Sequence, residues 1–118
     1  MAFIPSRRQH ARFACSLPLK VVGAGSRNPI EGTMLNVGVG GAFLALKGGP
    51  HSGSFTLRVT CGEETVSLDA RVVRNGGSDP NDRQAGRYGV EFRDDPETKG
   101  RVRLLVDRVR SRLPFRNP

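Results

Sequence analysis

Phe55-Thr56-Leu57-Arg58-Val59-Thr60-Cys61-Gly62-Glu63-Glu64-Thr65-Val66-Ser67-Leu68-Asp69-Ala70-Arg71-Val72 is two runs of alternating character around a short polar break. Phe55, Leu57 and Val59 alternate with Thr56, Arg58 and Thr60. After Cys61-Gly62-Glu63-Glu64, Val66, Leu68, Ala70 and Val72 alternate with Ser67, Asp69 and Arg71. Successive side chains of a strand point to opposite faces, so a two-residue period marks a half-buried strand. Two such runs across a glycine-bearing connection make a hairpin with one apolar face. A lone hairpin is marginal in water, so its apolar face requires further strands.

The flanking sequence supplies them. Upstream, Ala14 to Val22 and Ile30 to Asn36 read as strands, separated by the turn cluster from Gly23 to Pro29. The glycine-rich turn from Asn36 to Gly41 leads to a short third strand, Ala42 to Leu46. Lys47 to Gly53 is a further loop. Downstream, Asn75 to Arg87 shows no core-like residues and is expected to be a mobile loop. Tyr88-Gly89-Val90-Glu91-Phe92 then forms a last strand, with Tyr88, Val90 and Phe92 on one face.

After Phe92 the period changes. Asp94 or Asp95 can cap a helix, and Pro96 suits its first turn. Val102, Leu105, Val106, Val109 and Leu113 form one stripe at helical spacing. Arg103, Asp107 and Arg110 lie away from it, at ion-pair spacings of three and four residues. Gly100 weakens the helix near its start, and Pro114 ends it. The fold class is therefore all-β with one C-terminal helix: a six-stranded antiparallel β-barrel packed by an amphipathic α-helix. Residues 1–13 read as an arginine-rich arm, 14–93 as the barrel and 94–113 as the helix of one domain. The 118 residues suffice for a single core without staples.

Composition narrows the function. The formal net charge is +8, which favours anionic ligands and polyanions and makes association sensitive to salt. Much of that charge also serves solubility. Cys15 and Cys61 are far apart and have no zinc-ligand spacing, so they are expected as thiols, with a disulfide left open. His10 and His51 are not at metal-ligand spacing, and no Ser or Cys nucleophile sits in a recognisable motif; neither an enzyme nor a metal site is expected. Met1-Ala2-Phe3-Ile4-Pro5 lacks the apolar run of a signal peptide, and no segment approaches a membrane span. A cytoplasmic protein without membrane insertion is expected.

Two stretches can carry binding chemistry. Arg7, Arg8 and Arg12 offer guanidinium forks that pair with phosphate, stack on bases and match O6 and N7 of guanine. The plain alternative is a solvated basic arm. In Asn36-Val37-Gly38-Val39-Gly40-Gly41, glycines allow the backbone to approach a ligand, and Asn36 presents both a donor and an acceptor. The plain alternative is an ordinary hairpin turn.

Together these stretches resemble the PilZ domain family of bacterial cyclic di-GMP receptors. The family's first motif is an arginine, any three residues and a second arginine ahead of the first barrel strand. Arg8 and Arg12 match it, preceded by Arg7. Its second motif is Asp or Asn, any residue, Ser, any two residues and Gly. Asn36 and Gly41 match its ends, while Gly38 replaces the serine. Gly32-Thr33-Met34-Leu35, Gly41-Ala42-Phe43-Leu44, Ala70-Arg71-Val72-Val73-Arg74 and Tyr88-Gly89-Val90-Glu91-Phe92 resemble the surrounding strands, so the likeness runs from about residue 7 to 113.

The resemblance implies a nucleotide site of Arg7, Arg8, Arg12, Asn36, Gly38, Gly41 and Arg74. Arg8 and Arg12 would hold guanine and phosphate, and Asn36 would meet a guanine edge. Gly41 would admit the backbone. Arg7 suggests a stacked pair of ligands. Arg74 stands where some members carry a Trp and can stack as a cation. The implied protein is a single-domain receptor whose arm orders on the ligand and signals to a bacterial protein effector in motility or biofilm control. Losing a serine hydroxyl that bonds the ligand costs about 0.5–1.5 kcal/mol, which a bridging water can offset. Two alternatives stay open. One is a PilZ-like interaction module that does not bind the nucleotide, favoured by Gly38. The other is a small basic barrel binding RNA or DNA, favoured by charge and opposed by the scarcity of aromatics.

Overall fold

The structure, a computed structural model, describes residues 11–23, 27–48, 53–79 and 82–112. Its strands are β1 (Arg12–Val22), β2 (Ile30–Gly38), β3 (Gly41–Leu46), β4 (Ser54–Cys61), β5 (Glu64–Asp79) and β6 (Asp82–Phe92). One helix follows, α1 (Pro96–Ser111). The strands close in the order β1-β2-β3-β6-β5-β4, every pair antiparallel, with β4 returning to β1 through Leu19↔Val59 and Val21↔Leu57. Closure leaves no exposed sheet edge in the ladder.

The hairpin that organises the sequence is β4–β5. Thr60 faces Thr65 and Cys61 faces Glu64, leaving Gly62-Glu63 as a two-residue turn. Gly62 has φ of +67°, a conformation that a β-carbon disfavours. Along β4 the inward residues Phe55, Leu57, Val59 and Cys61 are buried, and along β5 so are Leu68 and Ala70. They meet Met34, Val37, Leu44 and Val90 in one core. Each fully buried side chain of this size contributes about 1.5–3 kcal/mol.

Two expectations change. β1 begins at Arg12, not Ala14, because Arg12 and Phe13 pair with Gly38 and Val37. In the stretch expected as a mobile loop, 75–87, residues 75–79 instead extend β5 and 82–87 extend β6, and the two pair. Asn75 pairs with Tyr88, Gly77 with Arg87 and Ser78 with Gly86, with register shifts along the way. Backbone hydrogen bonding, not an apolar stripe, carries this pairing, so side-chain alternation is missing from the sequence. Ala85 is nevertheless 5% exposed, a buried position within the expected loop.

The helix starts where Asp95 caps it. Asp95 Oδ1 accepts from the Thr98 backbone N–H at 2.8 Å, and Pro96 occupies the first turn. Val102, Leu105, Val106 and Val109 are buried against the barrel, with Thr98; Leu113 lies outside the described residues. The helix packs on β5, β1 and β2. Arg101 pairs with Glu97 one turn away at 3.0 Å, and Arg108 pairs with Glu64 at the β4–β5 turn. Arg110, expected in an intrahelical ion pair, instead holds its guanidinium 5.4 Å from the Phe13 ring centroid. Both cysteines are free thiols, so the disulfide left open by sequence is not formed. No described helix is long and apolar enough to cross a membrane.

Candidate functional site

β3 sends Ala42, Leu44 and Leu46 into the core, which leaves Gly41 and Phe43 on the outer side. β6 likewise buries Val90 and Phe92 and leaves Gly89 and Glu91 outside. The two strands pair Gly41 with Glu91 and Phe43 with Gly89. Glycine therefore thins the outer wall at two places on adjacent strands. An open groove of about 1570 Å³ lies over this wall. It runs from Arg12 and the β2–β3 turn, Gly38 to Gly41, past Phe43, Arg71 and Arg74 to Asp94 and Lys99 at the start of α1.

The β2–β3 turn is held by its neighbours. Phe92 N donates to Gly40 O at 3.0 Å, tying the turn to the end of β6. A β-carbon on Gly41 would stand 2.3 Å from the Val90 carbonyl oxygen and 3.3 Å from Arg12 Nη2. A β-carbon on Gly38 would stand 2.5 Å from the Ala11 carbonyl oxygen. At both positions a side chain would press on neighbouring backbone and on Arg12, so one enters only if those neighbours shift.

The groove mixes charge. Arg71 Nε donates to Glu91 Oε1 at 2.8 Å. Arg93 Nε meets Asp95 Oδ2 at 3.0 Å, and Lys99 Nζ meets Asp94 Oδ1 at 2.6 Å. Asp69 accepts from the Thr56 hydroxyl at 2.9 Å. The three ion pairs are largely open to solvent, and such pairs contribute about 0–1 kcal/mol each. Arg74 is exposed on the same wall, and its side chain makes no ion pair or hydrogen bond among the described residues. It therefore offers a guanidinium to an anionic or planar ligand without first breaking a protein contact. Asp95 bonds the Thr98 backbone N–H first, then the Thr98 hydroxyl and Arg93, and these hold its carboxyl below the ordinary value.

Of the residues singled out by sequence, Arg12, Gly38, Gly41 and Arg74 line this one groove. Arg7 and Arg8 lie outside the described residues. Asn36 does not line the groove. It sits between Ala14 and Phe43 in the sheet, and its Oδ1 is buried without a hydrogen-bond partner among the described residues. A buried acceptor left unpaired costs about 1–3 kcal/mol, so this oxygen gains from any donor that reaches it. Sequence reasoning passed over Phe43, Arg71 and Gly89. A glycine inside a strand pattern marks close approach, and Gly89 between Tyr88 and Val90 carried that signal. No group of three or more His, Cys, Asp or Glu able to hold a metal occurs among the described residues.

The family model described as PilZ domain matches residues 6–109. Among solved structures, the chain is similar to the PilZ domain of YcgR from Escherichia coli, solved with c-di-GMP. The TM-score is 0.71 at 13% identity, covering 90% of this chain and 93% of that one. It is similar to the Bacillus subtilis inhibitor of motility MotI/DgrA, with TM-score 0.68 and 19% identity, covering 97% of this chain and 55% of that one. It is also similar to the PilZ domain of CeSA from a cellulose-synthesizing bacterium, with TM-score 0.61 and 24% identity, covering 82% of this chain and 95% of that one. No curated protein matches.

Proposed function

The chain belongs to the PilZ domain family, and on that premise we propose that it is a receptor for cyclic di-GMP that works by binding and not by catalysis. The observation that carries this reading is the convergence of Arg12, Gly38, Gly41 and Arg74 on one groove, although β1, the β2–β3 turn and β5 are distant in sequence. The related domain of YcgR was solved with the same dinucleotide.

In this reading Arg8 and Arg12 hold guanine and phosphate through bidentate, charge-assisted bonds. Arg7 serves a second, stacked ligand. Arg74 stacks its guanidinium plane on a base. Asn36 meets a guanine edge only once its side chain turns toward the groove, where the ligand's N–H groups would satisfy the Oδ1 that is now buried and unpaired among the described residues. Arg12 and Phe13 pair in β1, and the arm at 1–10 lies outside the described residues. Ligand would draw that arm onto the barrel wall and present a new surface to a protein effector in the cytoplasm. The motility role of MotI makes motility the first output to examine.

Calorimetric titration with cyclic di-GMP, beside Arg8→Ala and Arg12→Ala, tests the reading. Removing one charge-assisted contact costs about 1.5–3 kcal/mol, roughly ten- to hundredfold in affinity. Saturable binding weakened in both variants supports it, and unweakened binding overturns the site.

Gly38 favours a second reading, a PilZ-like module that docks a protein partner without nucleotide. The serine hydroxyl of the family is missing, and the Ala11 carbonyl oxygen stands 2.5 Å from where its β-carbon would lie. A folded wild type that gives no heat with the dinucleotide decides for this second reading.

A further inference from the structure

Phe43 is an aromatic on the outer wall of a chain that has few. The sequence holds six Phe, one Tyr and no Trp, and Phe55 and Phe92 are consumed by the core. Phe43 instead is half-buried and lines the groove. Its support comes from bare backbone. A β-carbon on Gly76 would stand 3.2 Å from Phe43 Cζ, and one on Gly89 would stand 3.9 Å from Phe43 Cδ1. The ring thus rests on β5 and β6 where those strands carry no side chain. The Arg87 guanidinium lies 5.5 Å from the ring centroid, and Arg87 does not line the groove. A cation at that distance attracts the ring face and holds the ring in place. Arg74 stands on the other side of Gly89, with its Cβ 3.3 Å from the β-carbon position of that glycine. An aromatic ring and an arginine thus flank the same glycine, and both line the groove.

We propose that Phe43 is a stacking platform for a planar purine base in this groove, with Arg87 as the positioning residue that fixes its ring. The inference rests on the cyclic dinucleotide reading and adds to it a contact that none of the arginine or glycine positions supplies. Stacking suits any base because every base has a π face. Phe43 thus adds affinity for the base as such, while hydrogen bonds elsewhere choose guanine. A ring already seated loses little freedom when the base arrives, which favours binding. The competing role for Phe43 is packing alone, as a plug that seats the long β5–β6 hairpin on β3.

The chain has no tryptophan, so Phe43→Trp introduces a single indole whose fluorescence reports directly on stacking. The full chain would be titrated with cyclic di-GMP and, separately, with inorganic pyrophosphate, which has charge but no base. Calorimetry on wild type and on Phe43→Leu would run in parallel, with thermal melts of each variant. The expected result is quenching of the indole by the dinucleotide but not by pyrophosphate, and roughly tenfold weaker binding in Phe43→Leu. An indole unmoved by a dinucleotide that calorimetry shows to bind, or full affinity in Phe43→Leu, overturns the platform and leaves the receptor reading standing. Absence of binding by folded wild type overturns the receptor reading and the platform with it. A lower melting temperature in Phe43→Leu with unchanged affinity assigns the ring to packing and overturns the platform.

Discussion

Arg12 Nη2 lies 3.3 Å from the point where a β-carbon on Gly41 would stand. The guanidinium of the first strand's arginine thus passes over the glycine that follows the β2–β3 turn, close to the space a side chain there would need. The same missing β-carbon also admits the Val90 carbonyl of β6. One residue without a side chain so joins β1, β3 and β6 at the head of the groove.

Gly41→Ala tests that junction. Its β-carbon would fall 2.3 Å from the Val90 carbonyl oxygen, a backbone atom that cannot swing aside. Overpacking of this kind costs about 1–3 kcal/mol. Urea unfolding is expected to show a lower midpoint with an unchanged slope. An unchanged midpoint contradicts the close approach.

Gly38→Ser restores the hydroxyl that the family motif carries. The new β-carbon would meet the Ala11 carbonyl oxygen at 2.5 Å and Arg12 Cγ at 3.1 Å. The start of β1 must retreat to admit it. Amide exchange at Arg12 and Phe13 is therefore expected to quicken, with no gain in affinity for cyclic di-GMP. Tighter binding with unaltered exchange would show that the arm's root yields freely.

Asp95 makes helix stability depend on acid. Its folded pKa is lowered, chiefly by the Thr98 backbone N–H. Its contribution is present above the unfolded value near 4 and is lost as pH falls through the lower folded value. Asp95→Asn keeps an oxygen acceptor for the cap but removes the titration. Melting temperatures followed from pH 7 to pH 2 should fall less steeply in the variant on the acid side. Parallel acid limbs would place the acid sensitivity elsewhere.

Cys15 is expected to be a poor nucleophile. Burial pushes its thiol up to about 11, with Cys61 adding to the shift, and its Sγ donates to the Met34 carbonyl oxygen at 3.5 Å. Thiolate is the reactive form, so iodoacetamide at pH 8 should modify the folded protein slowly and the urea-unfolded protein quickly. The raised pKa also implies stability that is full below the ordinary value near 9 and fades as pH rises through about 11. Equal alkylation rates in the folded and unfolded states would refute the shielding.

The hairpin from Phe55 to Val72 and the helix stripe from Val102 to Val109 were legible from sequence because both depend on local burial patterns. A two-residue alternation and a 3.6-residue stripe each sort apolar from polar side chains within a few neighbours. The Asp95 cap and the Gly62 turn were equally local. The arginine and glycine motifs were legible as chemistry, and three of their residues, Arg12, Gly38 and Gly41, share one groove with Arg74.

Tertiary structure alone decided the rest. Closure of β1 on β4 and of β3 on β6 joins residues far apart in the chain, and side-chain pattern carries no register between distant strands. Residues 75–79 and 82–87 became strand because backbone groups pair there without an apolar stripe to announce it. Phe43 read as one more apolar residue of a short strand. Its outward place in the groove depends on the absence of side chains at Gly76 and Gly89 and on Arg87 beside its ring. Those neighbours lie across strand ladders. Only the folded barrel brings them within contact distance, so sequence determined the elements and their chemistry, while closure determined which residues meet.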